Sequence, residues 1–109
     1  MTDTGIERLR LVARLLRDRD LAELAAASAA TRLTRHRITE LDARITLPED
    51  LSLTAGARAM LLHRAWREAR RAELNRLLAG RIAVELEARE RARRSFGRAS
   101  LLDRPLSRS

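Results

Sequence analysis

The sequence predicts an all-α fold, an antiparallel two-helix coiled-coil hairpin forming one domain over residues 1–109. Three observations predict it. Apolar and small residues recur at steps of three and four through two long segments, the spacing of a helix face rather than a strand. One strong interruption, Thr46-Leu47-Pro48-Glu49-Asp50-Leu51-Ser52-Leu53-Thr54-Ala55-Gly56, separates those segments. Its proline, glycine and potential capping residues stop one helix and start another. The composition agrees: 45% hydrophobic, drawn largely from Ala and Leu, 35% charged and only 2% aromatic. That is the make-up of a long helix or coiled coil. A chain of 109 residues supports one domain at most.

The first arm is expected over residues 5–45. Thr4 with Glu7 three residues later has the capping-box spacing. A stripe follows through Ile6, Leu9, Ala13, Leu16, Asp20, Leu24, Ala27, Thr31, Thr34, Ile38, Leu41 and Ile45. Leu16-Asp20-Leu24 contributes two successive steps of four, a stutter that locally unwinds a left-handed coiled coil. The middle of the arm, Ala22 to Ala30, is nearly all Ala and Leu. It favours helix strongly, and its small side chains admit a close neighbour.

The bend is expected over residues 46–56, pivoting near residue 50 or 51, with Leu47, Leu51 and Leu53 packed over the hairpin end. The second arm is expected over residues 57–102, capped by Thr54 or Ser52. Leu62, Trp66, Ala69, Leu77 and Val84 make one stripe, and Leu74, Leu78, Ile82 and Leu86 an adjacent one. That face is wider than a two-stranded seam, so it can seat more than one neighbour. Dimerisation into a four-helix bundle, or docking into a larger complex, would cover it. Gly80 lies mid-helix, as a close packing point or a joint. Gly97 ends the helix unless it continues to Leu102. The tail, residues 103–109, is expected to fray. The residues expected in the seam are Leu9, Leu16, Leu24, Ile38, Leu41, Leu62, Trp66 and Leu77.

Formal net charge is +8, and all 23 basic residues are arginine. Residues 1–46 carry nine Arg against seven acids, whereas residues 57–109 carry fourteen Arg against six. The excess therefore lies on the second arm, and it suits an acidic protein partner or nucleic acid. Some of it is matched at helical spacing, as in Arg64–Glu68 and Glu85–Arg89. Cysteine is absent, which excludes disulfides and thiolate metal sites. The first five residues contain no apolar run of a secretory signal, and no stretch approaches the roughly 18 apolar residues of a membrane span. A cytoplasmic protein is expected.

No catalytic, cofactor-binding or metal-binding residues are expected. The two histidines, His36 and His63, would sit at similar heights, but His36 lies off the stripe and points outward. Ser95 reads as helix surface rather than as a nucleophile. The stretch Arg37-Ile38-Thr39-Glu40-Leu41-Asp42 resembles part of the first helix of all-helical chorismate mutases. That helix continues where this one breaks at Pro48, so an enzyme is not the expected reading. Trp66 is expected to fill the seam. Phe96, among arginines near an exposed end, is expected to meet a partner or the start of the first arm.

The closing segment Ala92-Arg93-Arg94-Ser95-Phe96-Gly97-Arg98-Ala99-Ser100-Leu101-Leu102 resembles that of short members of the FliJ family of flagellar type III export proteins. The whole layout, a basic helical hairpin without an enzyme motif, resembles that family too. The resemblance implies a non-enzymatic stalk protein, similar in fold to the coiled-coil stalk of rotary ATPases. It implies helix ends inserted into the export ATPase ring, contacts with the membrane export gate and substrate chaperones, and a place at the periphery of the membrane export apparatus. Carried onto this chain, residues 6–16 with 89–102 would form the stalk end. Candidate partner-binding residues are Arg67, Arg70, Arg71, Arg91, Arg93, Arg94, Phe96 and Arg98. The alternative is a basic helical module that binds nucleic acid through phosphate neutralisation.

Overall fold

The computed structural model describes residues 3–43 and 49–104. It is an all-α hairpin of two long helices, α1 (Asp3–Leu41) and α2 (Leu53–Leu102), packed against each other. The molecule is a rod with extents of 85 × 21 × 21 Å.

Local chemistry sets the helix ends. α1 starts at Asp3, so Thr4 is already helical. It ends four residues before Ile45, with Asp42 and Ala43 donating their backbone N–H groups to Thr39 and Glu40 carbonyls at 3.1 Å. Residues 44–48, which include Ile45, Leu47 and Pro48, lie outside the described residues. Ser52 is the N-cap of α2, in extended conformation, and its hydroxyl accepts from the Ala55 N–H at 3.1 Å. α2 therefore begins at Leu53 rather than residue 57, and Gly56 belongs to it. Leu53 does not pack over the hairpin end; it is 94% exposed. At the other end α2 runs through Gly97 to Leu102, and Asp103 caps it by donating to the Ala99 carbonyl at 3.0 Å. Thus Asp103 is an ordered cap rather than frayed tail, while residues 105–109 lie outside the described residues.

The seam is built mainly from small side chains. Its buried apolar residues are Ala13, Leu74, Ala88, Ala92 and Ala99, joined by buried Asp20, Thr31, Thr34 and Ser95. On α1, half-buried Leu16, Leu24, Ile38 and Leu41 line its edges as expected. Thr31 and Thr34 satisfy their hydroxyls on their own helix, donating to the Ala27 and Ala30 carbonyls at 3.1 and 2.9 Å. Arg10 and Arg17 are half-buried as well, so the seam passes between Leu16 and Arg17. The two steps of four at Leu16-Asp20-Leu24 do not interrupt the contact.

Four of the expected seam residues lie elsewhere. Leu62 is 65% exposed and Trp66 56%, and Leu9 and Leu77 are exposed to 43% and 38%. The reason is register. Asp20 meets Ser95, Ser28 meets Glu85 and Asp42 meets Arg71. These pairs centre the hairpin near residue 57, not 50 or 51. Leu41 therefore faces the turn around Leu74, and residues 53–70 of α2 project past the end of α1 by roughly 27 Å at the helical rise. Within that projection the half-buried residues are Gly56, Ala59, His63 and Arg67, one helical face away from Leu62 and Trp66. The same register separates the histidines along the rod: His36 pairs outward with Glu40 at 2.8 Å, and His63 sits on the projection.

Gly80 is not a packing point. A Cβ built there meets nothing within 4 Å, and α2 is continuous through it. Replacing it with Ala should stabilise the hairpin by about 1 kcal/mol in chemical denaturation, the helix-propensity difference. By contrast Leu74→Ala should cost about 2 kcal/mol or more, since Leu74 is 3% exposed. Leu62→Ala should change stability by less than about 0.5 kcal/mol. Equal losses from Leu62→Ala and Leu74→Ala would contradict this register.

Candidate interaction surfaces

Cross-helix polar contacts mark the seam from end to end and define what stays outside it. At the open end, Arg10 Nε donates to the Leu102 carbonyl at 2.7 Å, and Arg14 pairs with Asp103 at 2.8 Å. One and a half turns on, the Ser95 hydroxyl donates to the Asp20 carboxylate, both residues being about 4% exposed. Arg19 donates to the same carboxylate at 3.1 Å, and Arg91 reaches Glu23 at 3.6 Å. Near the middle, the Ser28 hydroxyl donates to Glu85 at 2.7 Å, and Arg89 lies 3.6 Å from that carboxylate. Arg71 closes the series by donating to Asp42 at the bend end.

Ser95 is thus a seam residue and not helix surface. The signal was present in the sequence, because Ala88, Ala92, Ser95 and Ala99 recur at steps of four, three and four. The first arm's stripe likewise passed through Asp20. What the sequence lacked was any indication that these two positions meet.

Two carboxyl groups are perturbed by these contacts. The Ser95 hydroxyl, above all, holds the Asp20 carboxyl below its ordinary value of 3.8; burial opposes it, and Arg19 and Arg91 add favourable charge. Glu85 is held below 4.5, chiefly by Ser28, against partial desolvation and with help from Thr31, Arg89 and Arg35.

The expected partner-binding residues divide into two sets. Five are engaged within the chain: Arg70 with Glu73 at 3.0 Å, Arg71 with Asp42, Arg91 with Glu23, and Arg93 and Arg94 with Glu90 at 3.2 and 3.5 Å. Arg67 and Arg98 have no carboxylate partner among the described residues. Phe96 is 55% exposed, and the Asp20–Ser95 pairing puts it level with the stretch around Arg19 rather than with the start of α1. The structure therefore does not gather these eight residues into one patch. Arg67 to Arg71 belong to the bend end, and Arg91 to Arg98 to the open end.

Large apolar side chains are exposed at several places along both helices, one group lying on the projecting part of α2. Leu53, Met60, Leu61, Leu62 and Trp66 stand exposed on the projecting part of α2. Trp66 lies beside His63, ring centroids 5.7 Å apart and tilted by 32°. The Nε2 of His63 is buried without a hydrogen-bond partner among the described residues. Those residues hold no group of three or more His, Asp or Glu placed to bind a metal ion, and no described helix is long and apolar enough to cross a membrane. No protein-family model, curated protein or solved structure matches this chain.

The pH dependence of the seam has a definite sign. Asp20 and Glu85 have lower pKa values folded than unfolded, so their stabilisation is fully present above 3.8 and 4.5 and is lost as pH falls through the lowered folded values. Ser95→Ala should lower the thermal midpoint of helix unfolding at neutral pH. The gap to the parent chain should narrow in acid, once Asp20 is protonated in both. A gap independent of pH would show that the Asp20 charge is not what Ser95 stabilises.

Proposed function

We propose that this chain is a non-enzymatic interaction protein, a helical stalk that binds partner proteins through its two ends and the basic second helix, in the manner that the FliJ resemblance implies. The observation that supports the reading most directly is the projection of α2. About five turns stand beyond the end of α1, with Leu53, Leu61, Leu62 and Trp66 exposed between Arg58, Arg64 and Arg67. Large exposed apolar side chains clustered in this way mark protein-interaction surfaces. Trp and Arg together are the residue types enriched where binding energy concentrates. The open end offers a second such place, with Phe96 and Leu101 exposed near Arg98. On this reading the partners are an export ATPase ring and a membrane export gate, and the protein works in the cytoplasm at the periphery of that apparatus.

A basic module that binds nucleic acid is the second reading. It is supported by the +8 charge and by unpaired Arg67 and Arg98. The intramolecular ion pairs of Arg70, Arg71, Arg91, Arg93 and Arg94 favour the protein-binding reading, because those charges are already partly matched.

Calorimetry against a flagellar export ATPase and the cytoplasmic part of its export gate is the direct test. Binding should appear, and Leu61→Glu with Leu62→Glu, or Phe96→Ala, should weaken it by about tenfold or more. No binding to either component would remove the export-stalk assignment. Duplex or single-strand affinity falling steeply with salt would instead support nucleic acid; a flat salt response would end that reading.

A further inference from the structure

One face of the rod carries a row of depressions between the helices, running from the open end to the bend end. On α1 they are lined by Leu9, Leu16, Glu23, Ala30 and Arg37 at seven-residue steps. On α2 they are lined by Arg70, Val84, Arg91 and Arg98, and Leu77 occupies the same seven-residue position between Arg70 and Val84. The three lie by Leu9, Val12 and Leu101 at the open end, by Ala26, Ala30 and Val84 in the middle, and by Arg37, Trp66 and Arg70 toward the bend. Their floor is low because Ala13, Ala27 and Ala88 form it. Val12, Val84 and Leu101, which line them, are each at least half exposed. From Leu77 to Arg98 α2 rises roughly 32 Å, the length of about 21 helical residues.

Charge indicates what would fill them. Of the acids on this face, Glu23 lies at 3.6 Å from Arg91 and 4.0 Å from Arg19, and Glu40 pairs with His36; Glu87, at the same seven-residue position as Trp66 and Leu101, has no ion pair among the described residues. Arg37, Arg81 and Arg98 line the same row, spread along its length, and have no carboxylate partner among the described residues. A second copy of this chain would bring the same unmatched arginines into the interface, where like charges are costly. An acidic helix would bring the missing counter-charges at helical spacing.

We propose that this row of depressions seats an acidic amphipathic helix of a partner protein, its apolar side against Leu77 and Val84 and its carboxylates toward Arg37, Arg81 and Arg98. This is the helix-in-groove mode of recognition. The proposal rests on the interaction-protein reading; the depressions share Trp66, Leu101 and Arg98 with the ends, so the test is read at Leu77 and Val84, which the previous test leaves unchanged.

The test uses the full chain and a labelled peptide of about 21 residues, with Leu at helical a and d spacing and Glu at most other positions. A scrambled peptide of the same composition, which forms no apolar face, is the control. Fluorescence anisotropy should show the patterned peptide binding about tenfold or more tightly than the scrambled one. Val84→Glu and Leu77→Glu should each weaken it by about tenfold or more, whereas Leu86→Glu, exposed and a half-turn away from Val84, should change it less than about twofold. Val84→Ala shortens the side chain without lowering helix propensity and should give an intermediate loss, with helicity checked by circular dichroism. Arg37→Gln with Arg81→Gln and Arg98→Gln should remove most of the salt dependence. Equal binding of the scrambled peptide, or equal losses from Val84→Glu and Leu86→Glu, would overturn the proposal as general charge attraction. A dimer in sedimentation that Val84→Glu converts to monomer would overturn it in favour of a second copy. Either outcome leaves the binding by the ends to its own test.

Discussion

The hydrogen bond between Ser95 and Asp20, buried in a seam of alanines, is the constraint on which the rest of the hairpin depends. Alanine is small and presents much the same surface at every turn, so a seam of Ala13, Ala88, Ala92 and Ala99 would tolerate being slid along by a turn. Apolar burial alone would reward several registers almost equally. A buried carboxylate removes that tolerance, because it is costly unless a donor meets it. Only one alignment brings Ser95 to Asp20, and that alignment also brings Ser28 to Glu85, Arg91 to Glu23 and Arg71 to Asp42. A polar residue inside a coiled-coil seam that fixes register at some expense of stability is an established device.

Two consequences follow from that alignment. With the hairpin centred near residue 57, the helices cannot end level, and the start of α2 projects. A seam of small residues also needs few of the large ones. Leu62, Trp66, Leu77 and Val84 are left on the flank and the projection, where they are exposed. On the proposed reading, folding and recognition draw on different side chains of the same helix. Exposed apolar residues such as Leu62 can change with little effect on the hairpin, which leaves them available for contacts with other molecules.

Electrostatics shows the same division. A net charge of +8 suggests a uniformly basic surface, yet many arginines are matched locally at three- and four-residue spacing or across the seam. Others, among them Arg32, Arg35, Arg37, Arg58, Arg64, Arg67, Arg81 and Arg98, form no ion pair among the described residues. A partner would meet apolar surface interspersed with unmatched cations.

The sequence by itself determined that there are two helices, roughly where they break, and that they fold back on one another. Those features are local: periodicity of three and four, alanine-rich propensity, and a break carrying Pro48 and the Ser52 cap. It also identified the four α1 residues Leu16, Leu24, Ile38 and Leu41 that border the seam, because α1 has one dominant stripe. It did not determine which face of α2 turns inward. That helix offers apolar residues over a broad arc, and the stripe through Leu62 and Trp66 is more hydrophobic than the one through Leu74, Ala88, Ala92 and Ala99. Tertiary structure decided for the smaller stripe, because it alone presents Ser95 to Asp20 while letting the backbones approach over alanine. The offset of the helix ends and the row of depressions along the flank follow from that choice, which depends on residues 75 positions apart in the chain and on no local pattern in either helix.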